Sequence, residues 1–332
     1  MAILIATNYI KTKKKYPFNN MKKKFPFHII VFLFPACFIY SIFMIYPLID
    51  TMRVSLYTQN LLGENMDDSS GVRSFIGLRN YYDLFFNDTW SWHFWNALKN
   101  NFYFFLLHVS IQTPIGLLIA AFLSNKELKL KNTYRTLIFL PAMMSIVIVG
   151  YIFNLILSNL WGIPQTILGV VGLEDLYQPW LGLKGSALIT VSLISIWQFV
   201  GIPMMLFYAA LLNIPEEILD AAKVDGSSGL NTFWKIKFPL ILPTVGLMCV
   251  LTYVGNFNAF DLIYAIKNIY AGPEFSTDLM GTFFYRTFFG YQHQLGNPTM
   301  GATVASTTFG IILIGVMIYL FAFQKRITRY QY

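Results

Sequence analysis

The chain has 332 residues, of which 56% are hydrophobic, 17% aromatic and only 12% charged, with a formal net charge of +8 and a mean hydropathy of +0.54. Soluble domains carry about 25% charged residues. These figures exclude a soluble globular enzyme, a disordered chain and a nucleic-acid-binding domain, and leave a polytopic membrane protein.

Six windows free of Asp, Glu, Lys and Arg follow in chain order: 25–49, 100–124, 136–160, 185–215, 238–260 and 287–324, between 23 and 38 residues long. About 20 residues rising 1.5 Å each cross a hydrocarbon layer about 30 Å thick. Each window therefore predicts one helix, and none is long enough for a helical hairpin. The runs lack two-residue alternation, which excludes a β-barrel. The first window is too long for a cleaved signal peptide, and five more follow it. Cys37 and Cys249 both sit inside windows, which excludes a disulfide framework.

The positive charge is a topology signal. Seven lysines (Lys11, Lys13, Lys14, Lys15, Lys22, Lys23 and Lys24) precede the first window. With the N-terminus inside, seventeen basic residues fall on the inner side and seven on the outer, which places both termini in the cytoplasm. The predicted organisation is a basic tail over 1–27, an all-α six-helix domain over 28–324, and a cytoplasmic tail over 325–332. The outer segments 51–99, 161–184 and 267–286 are rich in aromatic residues, among them Trp90, Trp92 and Trp95, as expected of an interfacial belt.

One inner loop, 213–238, breaks the charge pattern. Its first half carries Glu216, Glu217, Asp220 and Asp225 against Lys223 alone. A lipid-facing connector favours Lys and Arg on its polar face, so these acids suit docking into a basic cleft of another protein. Asn213 with Glu216 reads as a capping box. Ile218, Ala221, Ala222 and Val224 form a small apolar face, and Gly226 fits a left-handed cap. A second short helix over 230–237 is expected to close at Phe238, because Pro239 steers the preceding residue out of the α region.

These residues resemble the signature of binding-protein-dependent ABC permeases: Asp220-Ala221-Ala222, three residues, Gly226, nine residues, then Ile236-Lys237-Phe238-Pro239. Asp220 and Phe238 stand where the pattern has Glu and Leu. The likeness extends to Tyr46-Pro47-Leu48, to Phe75-Ile76-Gly77-Leu78-Arg79-Asn80-Tyr81, to Arg135 through Pro141, and to Phe257 through Tyr264. The chain thus resembles the maltose-transporter (MalF-like) class of sugar permeases, in a compact six-helix form with the type I importer permease fold.

The resemblance implies a bacterial inner-membrane subunit that performs no chemistry itself. Its implied partners are a second homologous permease, two cytoplasmic ATPases that hold the ATP and Mg, and an extracytoplasmic solute-binding protein that delivers a carbohydrate. The loop, through Glu217, Asp220, Ala221, Ala222, Asp225, Gly226, Ile236 and Pro239, is implied to contact the ATPase. No Gly-rich phosphate loop with Lys occurs in the chain, and His28, His93, His108 and His293 show no metal-ligand spacing. His108, in mid-span, reads as a structural histidine.

Polar residues inside spans turn toward protein or water. The candidates for the substrate path are Ser195, Trp197, Gln198 and Gly201 on the fourth span, with Gly201-Ile202-Pro203 as a kink, and Thr252, Tyr253, Asn256 and Asn258 on the fifth. By resemblance, Ser195, Gln198, Thr252 and Asn256 line the sugar site. Two other classes fit the composition: a permease for another solute carrying the same inner loop, and a membrane-embedded enzyme or channel.

Overall fold

The computed structural model describes residues 27–59, 73–125, 127–158, 162–172, 177–291 and 294–324. The lysine-rich start, Lys126, His293 and the tail 325–332 lie outside the described residues. The chain divides into two compact units at Asp50/Thr51. The first unit contains α1 (Phe27–Tyr40), a π-turn (Ser41–Ile45) and most of α2 (Tyr46–Val54). Its side chains from 31 to 49 are apolar with few exceptions and all exposed, the expected state for a segment solvated by lipid.

The second unit opens with a β-ribbon, β1 (Tyr57–Gln59) antiparallel to β2 (Arg73–Phe75). Then come α3 (Arg79–Phe86), α4 (Asp88–Leu107), a π-turn (His108–Gln112) and α5 (Thr113–Leu123). α6 (Lys131–Phe139), a 3-10 turn (Leu140–Met143) and α7 (Ile146–Ile156) follow, then α8 (Ile163–Val171), α9 (Ala187–Phe199) and α10 (Gly201–Leu212). The inner loop holds α11 (Glu216–Val224) and α12 (Gly229–Thr232). A π-turn (Phe233–Lys237) leads from α12 into α13 (Phe238–Phe257). The chain ends with α14 (Asp261–Lys267), α15 (Met280–Phe289), the short pair β3 (Gly290–Tyr291) and β4 (Gln294–Leu295), and α16 (Pro298–Ile318).

Among the described residues, four helical stretches are long and apolar enough to cross a bilayer, and counting each of two bent pairs as one span brings the number to six. Each of the six windows supplies one. The window 136–160 is not the single helix expected from its sequence: α6 with its 3-10 turn meets α7 at 91°. Pro141 has no N–H, and its ring opposes the carbonyl four residues back. The helix tightens into the 3-10 turn, and Met144 (ψ 147°) and Ser145 (ψ 129°) run extended. The fourth span bends by 44° between α9 and α10, at the expected Gly201.

Three π-turns share a cause. Each ends at a residue followed directly by proline: Tyr46-Pro47, Thr113-Pro114 and Phe238-Pro239. In each, the N–H of the residue before proline bonds the carbonyl five residues back, at Ser41, His108 and Phe233. Widening the turn by one residue relieves the proline's clash without breaking the helix. This is why the loop's second helix does not close at Phe238. That residue is helical (φ −61°, ψ −48°), and 229–257 forms one continuous helix.

The core is tied together on its outer-loop side by a polar clasp. Asp278 and Arg286 form a buried ion pair, with Nη2–Oδ2 at 2.6 Å and Nη1–Oδ1 at 3.2 Å. The Thr282 hydroxyl donates to the same carboxylate at 2.7 Å, and the guanidinium stacks 4.7 Å from the Phe275 ring centre. α4 grips this loop with three carboxamides. Asn96 Nδ2 donates to the Phe275 carbonyl (2.8 Å), Asn100 Nδ2 to the Asp278 carbonyl (3.1 Å), and Asn101 Oδ1 accepts from the Met280 N–H (3.0 Å). The clasp holds a backbone in which Ala271, Glu274 and Phe275 all have positive φ, a conformation that persists only where its surroundings over-determine it.

Arg286→Leu leaves the Asp278 carboxylate buried without its counter-ion. It is expected to lower stability by about 3–5 kcal/mol, with much of the loss recovered in the double variant Asp278→Leu/Arg286→Leu. Thermal unfolding of the detergent-solubilised protein measures both.

Candidate functional site

The interruptions in the helices converge on one place. A cavity of about 320 Å³ is lined by Phe104, His108 and Gln112 around the α4–α5 π-turn, by Ile146 just past the 91° elbow, and by Phe199 and Ile202 on either side of the α9–α10 bend. α13 contributes Met248, Thr252 and Asn256, and the segment from Asn258 to Ile263 completes the lining. Interrupted helices at mid-membrane depth are tolerated where they line a cavity.

The predicted path residues separate into two groups. Ser195, Thr252, Asn256 and Asn258 line the cavity. Trp197 does not: it is 46% exposed and packs edge-on against Phe153, with centroids 5.3 Å apart. Ser195, two residues before it, is buried, because two residues on a helix lie on nearly opposite faces. Tyr253 turns toward α16 and donates its hydroxyl to the Ile311 carbonyl at 2.8 Å. Gln198 is fully buried and donates to the Met144 carbonyl at 3.2 Å, so it satisfies a peptide group left open by the elbow. Gly201 is a packing residue. A Cβ there would lie 2.8 Å from Phe139 Cα and 3.0 Å from the Ile138 carbonyl oxygen.

Two residues that sequence reasoning left outside the path join it. His108 Nδ1 lies 2.8 Å from the Phe104 carbonyl and its Nε2 3.0 Å from Ser195 Oγ. The carbonyl can only accept, so Nδ1 carries the proton; in the neutral ring Nε2 then accepts from Ser195. Gln112 is one turn further on the same face. Two large polar side chains four apart in a charge-free window were the available signal.

Within the lining, the Thr252 hydroxyl and the Asn256 Nδ2 are buried without a hydrogen-bond partner. Such groups are costly unless something pairs with them. Thr113, Ser306 and Thr307 also hold unpaired hydroxyls, but none of these three lines the cavity. The Asn256 backbone is fixed by Asn101, whose Nδ2 donates to its carbonyl at 3.0 Å.

The inner loop lies at the other end of the same wall. α11 begins after Pro215, which offers no side-chain cap. Asn213, expected as the cap, instead ends α10. The predicted small apolar face also divides. Ala222 is buried, and Ile214 and Leu219 on either side of the helix start join the α5–α10 core, whereas Ala221, Ile218 (39%) and Val224 (87%) are exposed with Glu217, Asp220 and Asp225. Gly226 has the expected left-handed backbone, φ +73°. Next to it, the Ser227 N–H closes the helix end on the Ala222 carbonyl at 2.9 Å. Asp220 Oδ1 is 2.9 Å from Lys223 Nζ, both well exposed, and this hydrogen bond is the main cause of a raised Lys223 pKa. An exposed pair of this kind contributes little to stability. Ile236 and Pro239 are half-buried at the start of α13. Seventeen residues on, Asn256 is about 26 Å away along the helix.

The model of a family described as "binding-protein-dependent transport system inner membrane component" matches residues 112–329. The chain is 28% identical to the lactose transport system permease protein LacF of Rhizobium radiobacter over 89% of this chain and 93% of that one. It is 29% identical to the arabinooligosaccharides transport system permease protein AraP of Bacillus subtilis, over 86% and 84%. In fold it is similar to a chain of a bacterial alginate ABC transporter, with a TM-score of 0.68, 22% identity, and 89% and 92% covered.

Gly201→Ala forces α10 away from the 3-10 elbow and is expected to cost about 1–3 kcal/mol. Gln198→Leu orphans the Met144 carbonyl, at a similar cost of about 1–3 kcal/mol. Unfolding midpoints in detergent measure both.

Proposed function

The chain belongs to the family of binding-protein-dependent transport system inner membrane components, and from that premise we propose that it is the permease subunit of an ATP-driven importer of sugars or oligosaccharides. The observation that carries the reading is one continuous helix. It begins in an acid-bearing loop helix pair and ends in a cavity wall with an unpaired hydroxyl and an unpaired carboxamide. Hydroxyl and amide groups beside aromatic rings are the chemistry that a saccharide requires. The names of LacF and AraP, sugar-transport permeases of similar length, support the same substrate class.

In this reading the chain forms half of the translocation pathway, and a second homologous permease forms the other half. Two cytoplasmic ATPases bind ATP and Mg, and this chain binds neither. An extracytoplasmic binding protein delivers the sugar. Both termini face the cytoplasm, consistent with seventeen basic residues on that side against seven outside. Glu217, Asp220 and Asp225 meet a basic cleft on the ATPase, and Ala221 and Gly226 allow close approach. Closure of the ATPase pair moves α11 and α12, and the displacement reaches Thr252 and Asn256 along α13. Such coupling requires contacts that differ between two states.

Reversing the central acid tests the coupling. Asp220→Lys is expected to reduce ATP-driven saccharide uptake in reconstituted vesicles at least about tenfold, with less ATPase co-purifying and the same amount of chain inserted. Normal uptake by this variant counts against docking through Asp220. A lone purified chain that conducts ions or turns over a substrate counts against the permease reading as a whole.

A further inference from the structure

We propose that this half of the pathway selects neutral over anionic saccharides, with the Asp261 carboxylate at the cavity mouth as the discriminating group; the proposal rests on the carbohydrate reading above. Among the described residues that line the cavity, Asp261 is the one charged side chain. The other polar liners (His108, Gln112, Ser195, Thr252, Asn256 and Asn258) offer hydroxyl, amide and imidazole groups. The two His108 nitrogens are taken by Phe104 and Ser195.

Three basic residues of the outer segments have partners of their own. Arg286 is held by both oxygens of Asp278. Lys184 pairs with Glu274 at 2.8 Å at the surface. The Lys267 ammonium donates to the Leu181 carbonyl. Among the described residues that line the cavity there is no Lys or Arg, so a uronate carboxylate entering it would meet an acid and no lining cation. Like charges at close range repel strongly where water is thinned.

The same carboxylate suits a neutral sugar. Asp261 is exposed, while Leu262 and Ile263 directly after it are buried in the cavity wall. Phe260 lies before it and Tyr264 one turn on, with ring centroids 5.2 Å apart, and Tyr285 sits 5.1 Å from Phe260 and 5.6 Å from Tyr264. A carboxylate accepting from adjacent hydroxyls, beside aromatic faces that take the C–H face of a pyranose, forms a binding edge for an uncharged ring.

The test uses the complete transporter in proteoliposomes with its own binding protein. The probes are neutral arabino-, xylo- and galacto-trisaccharides, each compared with its own reducing-end aldonate. Uptake is normalised to the binding protein's measured affinity for each probe. The wild type should favour the neutral form. Asp261→Asn should raise the aldonate-to-neutral uptake ratio about tenfold, the effect of removing one like charge at an effective dielectric near 20, and Asp261→Glu should retain the wild-type ratio. An unchanged ratio in Asp261→Asn, or a wild type that takes up the aldonates as well as the neutral sugars, overturns the proposal while leaving the carbohydrate reading intact. Absence of uptake of every saccharide by the wild type overturns the carbohydrate reading itself, and the selectivity with it.

Discussion

A chain dissolved in hydrocarbon must satisfy its own peptide groups, because the solvent offers neither donor nor acceptor. That constraint accounts for much of what is irregular in this structure. At three prolines the backbone widens by one residue and continues, as at Tyr46, Thr113 and Phe238, and at Pro141 it stops and borrows a side chain. The elbow at Met144 takes the second course, with Gln198 reaching from α9 to supply the missing donor. The three asparagines of α4 do the same for the loop between α14 and α15. Polar side chains in the spans are, for the most part, repairs to the backbone.

Other polar groups are left without a partner. The clasp pairs Asp278, Arg286 and Thr282 with one another, and a buried ion pair of this kind holds its loop in a single arrangement. The Thr252 hydroxyl and Asn256 Nδ2 on the cavity wall are buried and unpaired, as are Gln198 Oε1 and the hydroxyls of Thr113, Ser306 and Thr307 away from it. Nearly the same residue types are therefore fully paired in one place and unpaired in another.

The sequence carried the number of spans, the bend at Gly201 and the left-handed Gly226, because each depends on local composition or on one residue's conformational freedom. It did not carry the direction in which Trp197 and Ser195 face, since an all-round apolar helix has no polar stripe to orient it. Nor did it disclose that Arg286, counted with the outer charges, is 4% exposed. The partners that bury it, Phe275, Asp278 and the asparagines of α4, are brought together across as many as 179 positions, a distance at which periodicity is silent. The signature residues 220–226 were legible as a pattern, but their division between a buried Ala222 and an exposed Ala221 is set by tertiary packing.

The unbroken run from Gly229 to Phe257 gives the molecule an unequal mechanical character. One wall of the cavity is a single continuous helix, with the π-turn at Phe233–Lys237 and Pro243 accommodated within it. Other walls bend at Met144 and at Val200–Gly201. In the coupling proposed above, a displacement of the inner loop would travel along the continuous helix, and the bent spans would be the places that yield. Had α13 been severed at Phe238, the same displacement would have been absorbed at the break before reaching Thr252.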